Sequence, residues 1–216
     1  MKVLLLGATG RTGKLILQQL IQRGHTVHVL VRDRSKVQII SLSLTIFEGS
    51  TLNADVLSTA MAGCEAIISA LNISRNSDFP WSALRTPVDF LSATMKNIIP
   101  LAAKHQLKRI IIISAWGVNE SKKDLPVWFR WIIDHSNISP AYKDHELQEQ
   151  MLAATDLHWT SIRPVGLTNF SLKPVKTSLN NFPGPSLLIS RKSVAAFAVD
   201  VLEQTGFIGL APTIFN

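Results

Sequence analysis

Val3-Leu4-Leu5-Leu6-Gly7-Ala8-Thr9-Gly10-Arg11-Thr12-Gly13 is the stretch on which the reading of the fold turns. An apolar run of strand length meets a turn with glycines at a spacing of three, and residues at helical spacing follow at once. The first glycine permits the tight turn. The second lets backbone approach a pyrophosphate, and the third lets helix and strand pack closely. Free amides at the helix start, with the positive end of its dipole, make an anion site. The alternative is a tight strand-to-helix turn with no ligand. The position of the turn, after a buried strand and opening an amphipathic helix, favours a dinucleotide.

Outward from this turn, strand-like and helix-like segments alternate. Strands are expected at Lys2–Leu6, Thr26–Val31, Leu44–Phe47, Ala66–Ala70, Arg109–Ile113 and His158–Ile162. Helices are expected at Thr12–Arg23, stopped by Gly24, and at Ala54–Met61, Val88–His105, Val127–His135, Tyr142–Ala153 and Val194–Leu202. Pro100 removes a backbone donor inside the fourth-strand-to-fifth-strand helix, so a kink or a break is expected there. Residues Asn72–Pro87 and Trp116–Leu125 read as loops, and Pro164–Pro185 as an irregular stretch with four prolines. This alternation implies an α/β fold, a doubly wound parallel sheet of Rossmann-like kind. A single domain over residues 1–216 is expected, its substrate side built from 72–87, 115–140 and 164–186. Ligands of such sheets bind beyond the carboxyl ends of the strands.

Composition narrows the classes. The chain has 216 residues, 46% apolar and 17% charged, with net charge +7, so it is neither disordered nor highly charged. The basic residues are scattered and form no aromatic-basic platform, which argues against nucleic acid. Cys64 stands alone, so no disulfide framework and no cysteine metal site is expected. No His/Asp/Glu set has metal-ligand spacing. No apolar run reaches the length of a signal core or a membrane span. A soluble protein of a reducing cytoplasm, with no membrane partner, is the expectation.

The second strand ends in Val31-Arg32-Asp33-Arg34-Ser35-Lys36. NAD-selective sites usually carry an acid there, on the ribose hydroxyls. A guanidinium at Arg32 suits a 2′-phosphate instead, with Arg11 reaching the same region. NADP is therefore favoured over NAD. The alternative is a solvated turn whose Asp33 touches the ribose.

Gly7–Gly13, Val29–Asp33, Ala62-Gly63-Cys64-Glu65-Ala66, Ile112-Ile113-Ser114-Ala115, Tyr142-Lys143-Asp144-His145, Trp159–Pro164 and Ile189-Ser190-Arg191 together resemble the atypical short-chain dehydrogenase/reductases. Within these the chain resembles the NAD(P)H-binding group that includes flavin reductase (biliverdin reductase B) and the NmrA-like proteins. The resemblance implies NADPH held by Gly7, Thr9, Gly10, Arg11, Thr12 and Gly13, with its 2′-phosphate near Arg32. It places the nicotinamide near Ala70, Leu71, Ser114, Pro164 and Val165. Two departures stand out. The usual Asp after the third strand is replaced by Ser50, which takes its place as a cofactor-binding candidate, and the histidine that follows the corresponding proline in the flavin-reducing member is absent after Pro164.

Ordinary short-chain dehydrogenases place Tyr and Lys at i and i+4 on one helix, where the lysine lowers the tyrosine pKa. Here Tyr142 has Glu146 at i+4, and Lys143 lies about 100° round the helix. The helical spacing aligns Tyr142, His145 and Glu149 instead. The alcohol/ketone apparatus is thus broken. Reduction of a carbonyl needs a placed proton, whereas reduction of a flavin or quinone needs mainly stacking and proximity. The expected activity is NADPH-dependent reduction of a flavin, quinone or similar small planar substrate. The alternative is an NmrA-like regulatory or assembly protein that senses NADP(H) without turnover. Ser114, His145 and Tyr142 are the candidate catalytic side chains, with Ala115 competing for the serine position. Trp116 is a candidate stacking platform at the substrate edge. For Trp128, Phe129 and Trp131, core packing of an amphipathic helix is the plainer reading, and Trp81 is a candidate lid aromatic. Oligomeric state is left open.

Overall fold

The computed structural model describes residues 1–216. The chain forms ten strands and six α-helices. They are β1 (Lys2–Leu6), α1 (Arg11–Gln22), β2 (Thr26–Val31), β3 (Leu44–Glu48), α2 (Ala54–Met61), β4 (Ala66–Ser69), α3 (Phe90–Lys104) and β5 (Arg109–Ile113). Then follow α4 (Val127–Asp134), α5 (Ser139–Ala153), β6 (His158–Pro164), β7 (Gly166–Thr168), β8 (Lys176–Ser178), β9 (Leu188–Ser190), α6 (Arg191–Glu203) and β10 (Thr213–Phe215). Short 3₁₀ turns occupy Arg34–Lys36 and Asn119–Asp124.

One eight-stranded sheet, in the order β3-β2-β1-β4-β5-β6-β10-β8, runs through the molecule, and β7 pairs separately with β9. Every pairing from β3 to β10 is parallel, and β8 closes the edge antiparallel to β10. The fold is the expected Rossmann-like α/β sandwich. Both sheet faces are covered, which is why β1 reads as a continuous apolar run. Val3 and Leu5 enter a core with Ile16, Leu17 and Leu20 of α1 and Val194, Ala198 and Val201 of α6. Leu4 and Leu6 enter the opposite core, with Leu57 and Met61 of α2, Met95 and Ile98 of α3, and Leu152 of α5.

Helix α1 ends as its sequence implies. Gly24 has φ +79, its N–H donates to Ile21 O, and the His25 N–H donates to Leu20 O. This pair of bonds is a Schellman closure, which a left-handed glycine permits. Helix α3 runs unbroken through Pro100, so no break occurs there. Pro100 and Lys96, whose carbonyl loses its donor, are both on the exposed side, where water can serve the carbonyl. The start of α3 is capped from another element. Asp144 of α5, only 1% exposed, accepts from Leu91 N at 2.6 Å and Ser92 N at 3.0 Å. A buried carboxylate is tolerated there because two free amides and the helix dipole compensate it.

Several boundaries differ from the sequence reading. Helix α5 begins at Ser139, three residues earlier, because Pro140 is compatible with a first helical turn. Helix α6 begins at Arg191, where Ser190 Oγ accepts from Ser193 N at 3.1 Å. The stretch from Pro164 to Pro185 is not wholly irregular: β6 extends through Pro164, and β7 and β8 lie within it. Strands β9 and β10 are further additions. All four are three residues long, too short to show a period of two.

Candidate functional site

The sheet order reverses between β1 and β4, which makes the carboxyl end of these two strands the switch point. The glycine turn lies there. Gly7 has φ +80, and a Cβ on it would stand 2.7 Å from Ala70 O, across the switch. A Cβ on Gly13 would stand 2.0 Å from Gly7 O, so the first turn of α1 packs directly against the turn backbone. Gly10 is the N-cap of α1 and offers no capping side chain, and the first turn carries no acid. The amides of that turn are therefore left for an external oxyanion. Thr9 and Thr12 are half-buried beside them, and Arg11 is exposed. These residues fit a dinucleotide pyrophosphate.

At the end of β2 the charges are sorted. Asp33 accepts from Ser35 N at 3.0 Å and Ser35 Oγ at 2.6 Å, and pairs with Lys36 at 3.3 Å. The Ser35 hydroxyl and Lys36 hold its carboxyl below the usual range. Arg34 donates to Ile46 O at 2.7 Å. Arg32 is exposed and has no such partner. Ser50, after β3, is used locally: its Oγ accepts from Leu52 N at 3.2 Å.

Of the residues expected beside a nicotinamide, Ala70 and Leu71 are half-buried after β4, and Pro164 at the end of β6 and Val165 just beyond it are buried. The end of β6 is tied to the end of β5 by Ser114 N donating to Ile162 O at 2.8 Å and Trp116 N to Pro164 O at 3.0 Å. Ser114 is 6% exposed and its Oγ has no hydrogen-bond partner, although it lies close enough to Glu149 to help lower that carboxyl's pKa.

The other candidates are positioned less favourably for chemistry. The Tyr142 hydroxyl donates to Trp116 O at 3.2 Å, and burial pushes its pKa well above the ordinary phenol range. Lys143 is exposed, off the tyrosine's face. His145 is 2% exposed, and burial lowers its pKa against the opposing pull of Glu149 and Asp144. It is an interior imidazole with no route to a substrate in this conformation. Trp116 is not an open stacking platform. It is 6% exposed and packed in the core with Leu125 and Val165. In α4 the core-packing reading holds for Phe129 but not for the two tryptophans. Trp128 and Trp131 are 60% and 55% exposed, because only Phe129 and Ile133 face the core.

One group escaped the sequence reading. Arg163 of β6 and Glu149 of α5 form a buried ion pair, with Nε to Oε1 at 3.1 Å and Nη2 to Oε2 at 2.6 Å. Glu149 also accepts from Ser161 Oγ and Asn119 Nδ2, each at 2.6 Å. Glu120 closes the network on the solvent side of Arg163. The network floors a cleft of about 660 Å³ between α5 and the β6–β10 edge, lined also by Trp159 and Asn180. A second cleft of about 160 Å³ runs from Arg163 to Trp116. The alignment of Glu149 with Tyr142 and His145 was the available signal, since it put a carboxylate on the buried face. Its partner lies on a strand beyond the next turn.

The loop 72–87 spans the site. Arg11 binds Asp78 bidentately at 2.8 and 2.7 Å. At its other side, Trp81 Nε1 donates to His135 O at 2.8 Å, and Asn137 donates to Trp81 O at 3.0 Å. The lone Cys64 is buried, and burial pushes its thiol up to about 11. No helix is long and apolar enough to cross a membrane.

Comparison with known proteins agrees with this geometry. The profile of a family described as NAD(P)H-binding matches residues 7–205. An oxidoreductase of Pestalotiopsis microspora is 28% identical over 200 residues, covering 87% of this chain and 71% of that protein. The photosystem II assembly factor Ycf39 of Synechocystis is 29% identical over 167 residues, covering 77% of this chain and 45% of that protein. Among solved structures, the anaerobilin reductase ChuY of Escherichia coli O157:H7 superposes with a TM-score of 0.81 at 18% identity, covering 100% of this chain and 97% of that one.

Proposed function

Because the chain belongs to the NAD(P)H-binding family, we propose that it is an NADPH-dependent reductase that passes hydride to a flavin, a quinone or a similar planar acceptor. The observation that carries this reading is the state of Tyr142. Its hydroxyl is committed to a carbonyl, its pKa is raised, and no lysine shares its helix face. Such a site is poor at protonating a carbonyl oxygen and adequate for an acceptor that takes its proton from water. Bound NADPH would supply the hydride, with one solvent proton completing reduction of the ring. The chain's own residues would bind and orient. The first-turn amides of α1 hold the pyrophosphate, and Arg32 holds the 2′-phosphate, since Asp33 is already engaged. The Ser114 hydroxyl, buried just beyond the end of β5 and close to Glu149, is the nearest polar side chain in sequence to that strand end and serves to orient the nicotinamide edge.

Names of relatives supply secondary support: one is called an oxidoreductase and one a reductase. The test is loss of nicotinamide absorbance on mixing the protein and NADPH with FMN, FAD and a set of quinones. Tyr142→Phe should oxidise NADPH within a few-fold of the wild type. No oxidation across the panel, with NADPH still bound tightly, overturns the reductase reading.

A second reading has its own observation. Neither Tyr142 nor His145 is placed to deliver a proton, and one relative is named an assembly factor. A sensor or assembly protein would bind oxidised and reduced cofactor alike and would retain a protein partner in pulldowns.

A further inference from the structure

Arg75 has no counterpart for its charge. The residue is half-buried, and its Nε is sealed from water with no hydrogen-bond partner. A guanidinium carries five donors in a fixed fork, and leaving such a group partly desolvated and unpaired is costly. Asp78, the carboxylate that feels its charge, is already held bidentately by Arg11.

The backbone around Arg75 is held rather than loose. Arg75 bridges Leu84 in antiparallel fashion, with Asn76 N donating to Ala83 O at 3.0 Å and Arg85 N to Ser74 O at 2.8 Å. Ser74 N donates to Thr86 Oγ1 at 2.9 Å. The hairpin so formed is fixed to the glycine turn through Asp78 and to the α4–α5 junction through Trp81. Arg75 lies on the strand of this hairpin that follows β4, and its charge reaches both Asp78 and the Tyr142 phenol. Arg11 and Arg32 lie toward the phosphate and adenosine side of the expected cofactor. Arg75 follows the carboxyl end of β4, where the acceptor is expected.

We propose that Arg75 selects the acceptor by an anionic group, a phosphate or a carboxylate carried on its planar ring system. This rests on the reductase reading for the position of the acceptor. The guanidinium would meet the anion in a forked, charge-assisted pair. It would anchor the ring from one side and leave its face free for the nicotinamide.

Two matched ligand pairs test this on protein saturated with NADP⁺. FMN against riboflavin reads a phosphate. Anthraquinone-2-carboxylate against its carboxamide reads a carboxylate. Affinities come from fluorescence quenching and need no turnover. In at least one pair the charged member should bind about 10- to 100-fold more tightly than the neutral one. Arg75→Gln should collapse that ratio to near one, and Arg75→Lys should restore part of it. Circular dichroism of each variant controls for folding. Equal affinities within both pairs for the wild type, or an Arg75→Gln loss equal for charged and neutral members, overturns the proposal. So does failure of all four ligands to bind. NADPH oxidation is measured separately. If Arg75-dependent binding holds without oxidation, the reductase reading falls and the anion site stands. If oxidation proceeds with neutral acceptors at no charge preference, the reverse holds.

Discussion

Replacing Glu149 by Leu should be among the most damaging single changes in this protein that spares the glycine turn. Glu149 and Arg163 have side chains 5% and 4% exposed. The change removes both bonds from Arg163 to Glu149 and strips the acceptor from Ser161 and Asn119. Arg163 is then left buried with Glu120, which is 60% exposed and screened by water. Breaking a buried pair from one side costs about 3–5 kcal/mol. A domain of this size loses roughly 2–4 °C per kcal/mol, so the melting temperature should fall by about 6–20 °C. Glu120→Gln, on the exposed side, should cost about 1 kcal/mol or less. The double variant Glu149→Leu/Arg163→Met should recover much of the loss, because no uncompensated charge remains. Urea unfolding followed by circular dichroism, with the slope compared across variants, measures all of these. The network has a pH signature too. Burial pulls the Glu149 carboxyl up, but the bonds and charge of Arg163, with Ser161, outweigh this and hold it below its usual value of 4.5. Its stabilisation is thus present above that value and is lost as pH falls through the lower folded pKa. The reasoning is refuted if Glu149→Leu costs no more than Glu120→Gln, or if the double variant is less stable than either single one.

Three other outcomes are expected. Arg32→Asp should weaken NADPH binding by about 10- to 100-fold and change NADH binding little, as measured by titration of cofactor fluorescence; equal losses would remove the 2′-phosphate role. Gly13→Ala would set a Cβ 2.0 Å from the Gly7 carbonyl oxygen, a backbone atom that cannot swing aside, so calorimetry should show cofactor binding abolished or the fold severely destabilised. His145 is buried with a lowered pKa, so the unfolded chain binds its proton first and stability should begin to fall as pH drops below about 6.5; His145→Asn should flatten the pH 5–7 portion of the unfolding profile, and an unchanged slope would refute that assignment.

What the amino-acid sequence determined by itself was local. The run Val3–Leu6, the glycines at 7, 10 and 13, and the stop at Gly24 each specify geometry through their own backbone and side-chain demands, and the sheet and its switch point follow from repeating that unit. The missing lysine at i+4 from Tyr142 was legible for the same reason, since helical spacing is a property of consecutive residues. Tertiary structure decided what depends on residues far apart in sequence. Asp144 caps a helix 53 residues away, and Arg11 pairs with a carboxylate 67 residues away. Arg163 finds its partner across a turn, on the next helix back. Trp116 is buried and Trp128 exposed because neighbouring elements cover one and not the other. Burial and pairing are sums over three-dimensional neighbours, and residue spacing along a chain does not carry them. Only the folded molecule could show that Arg75 has no partner of its own.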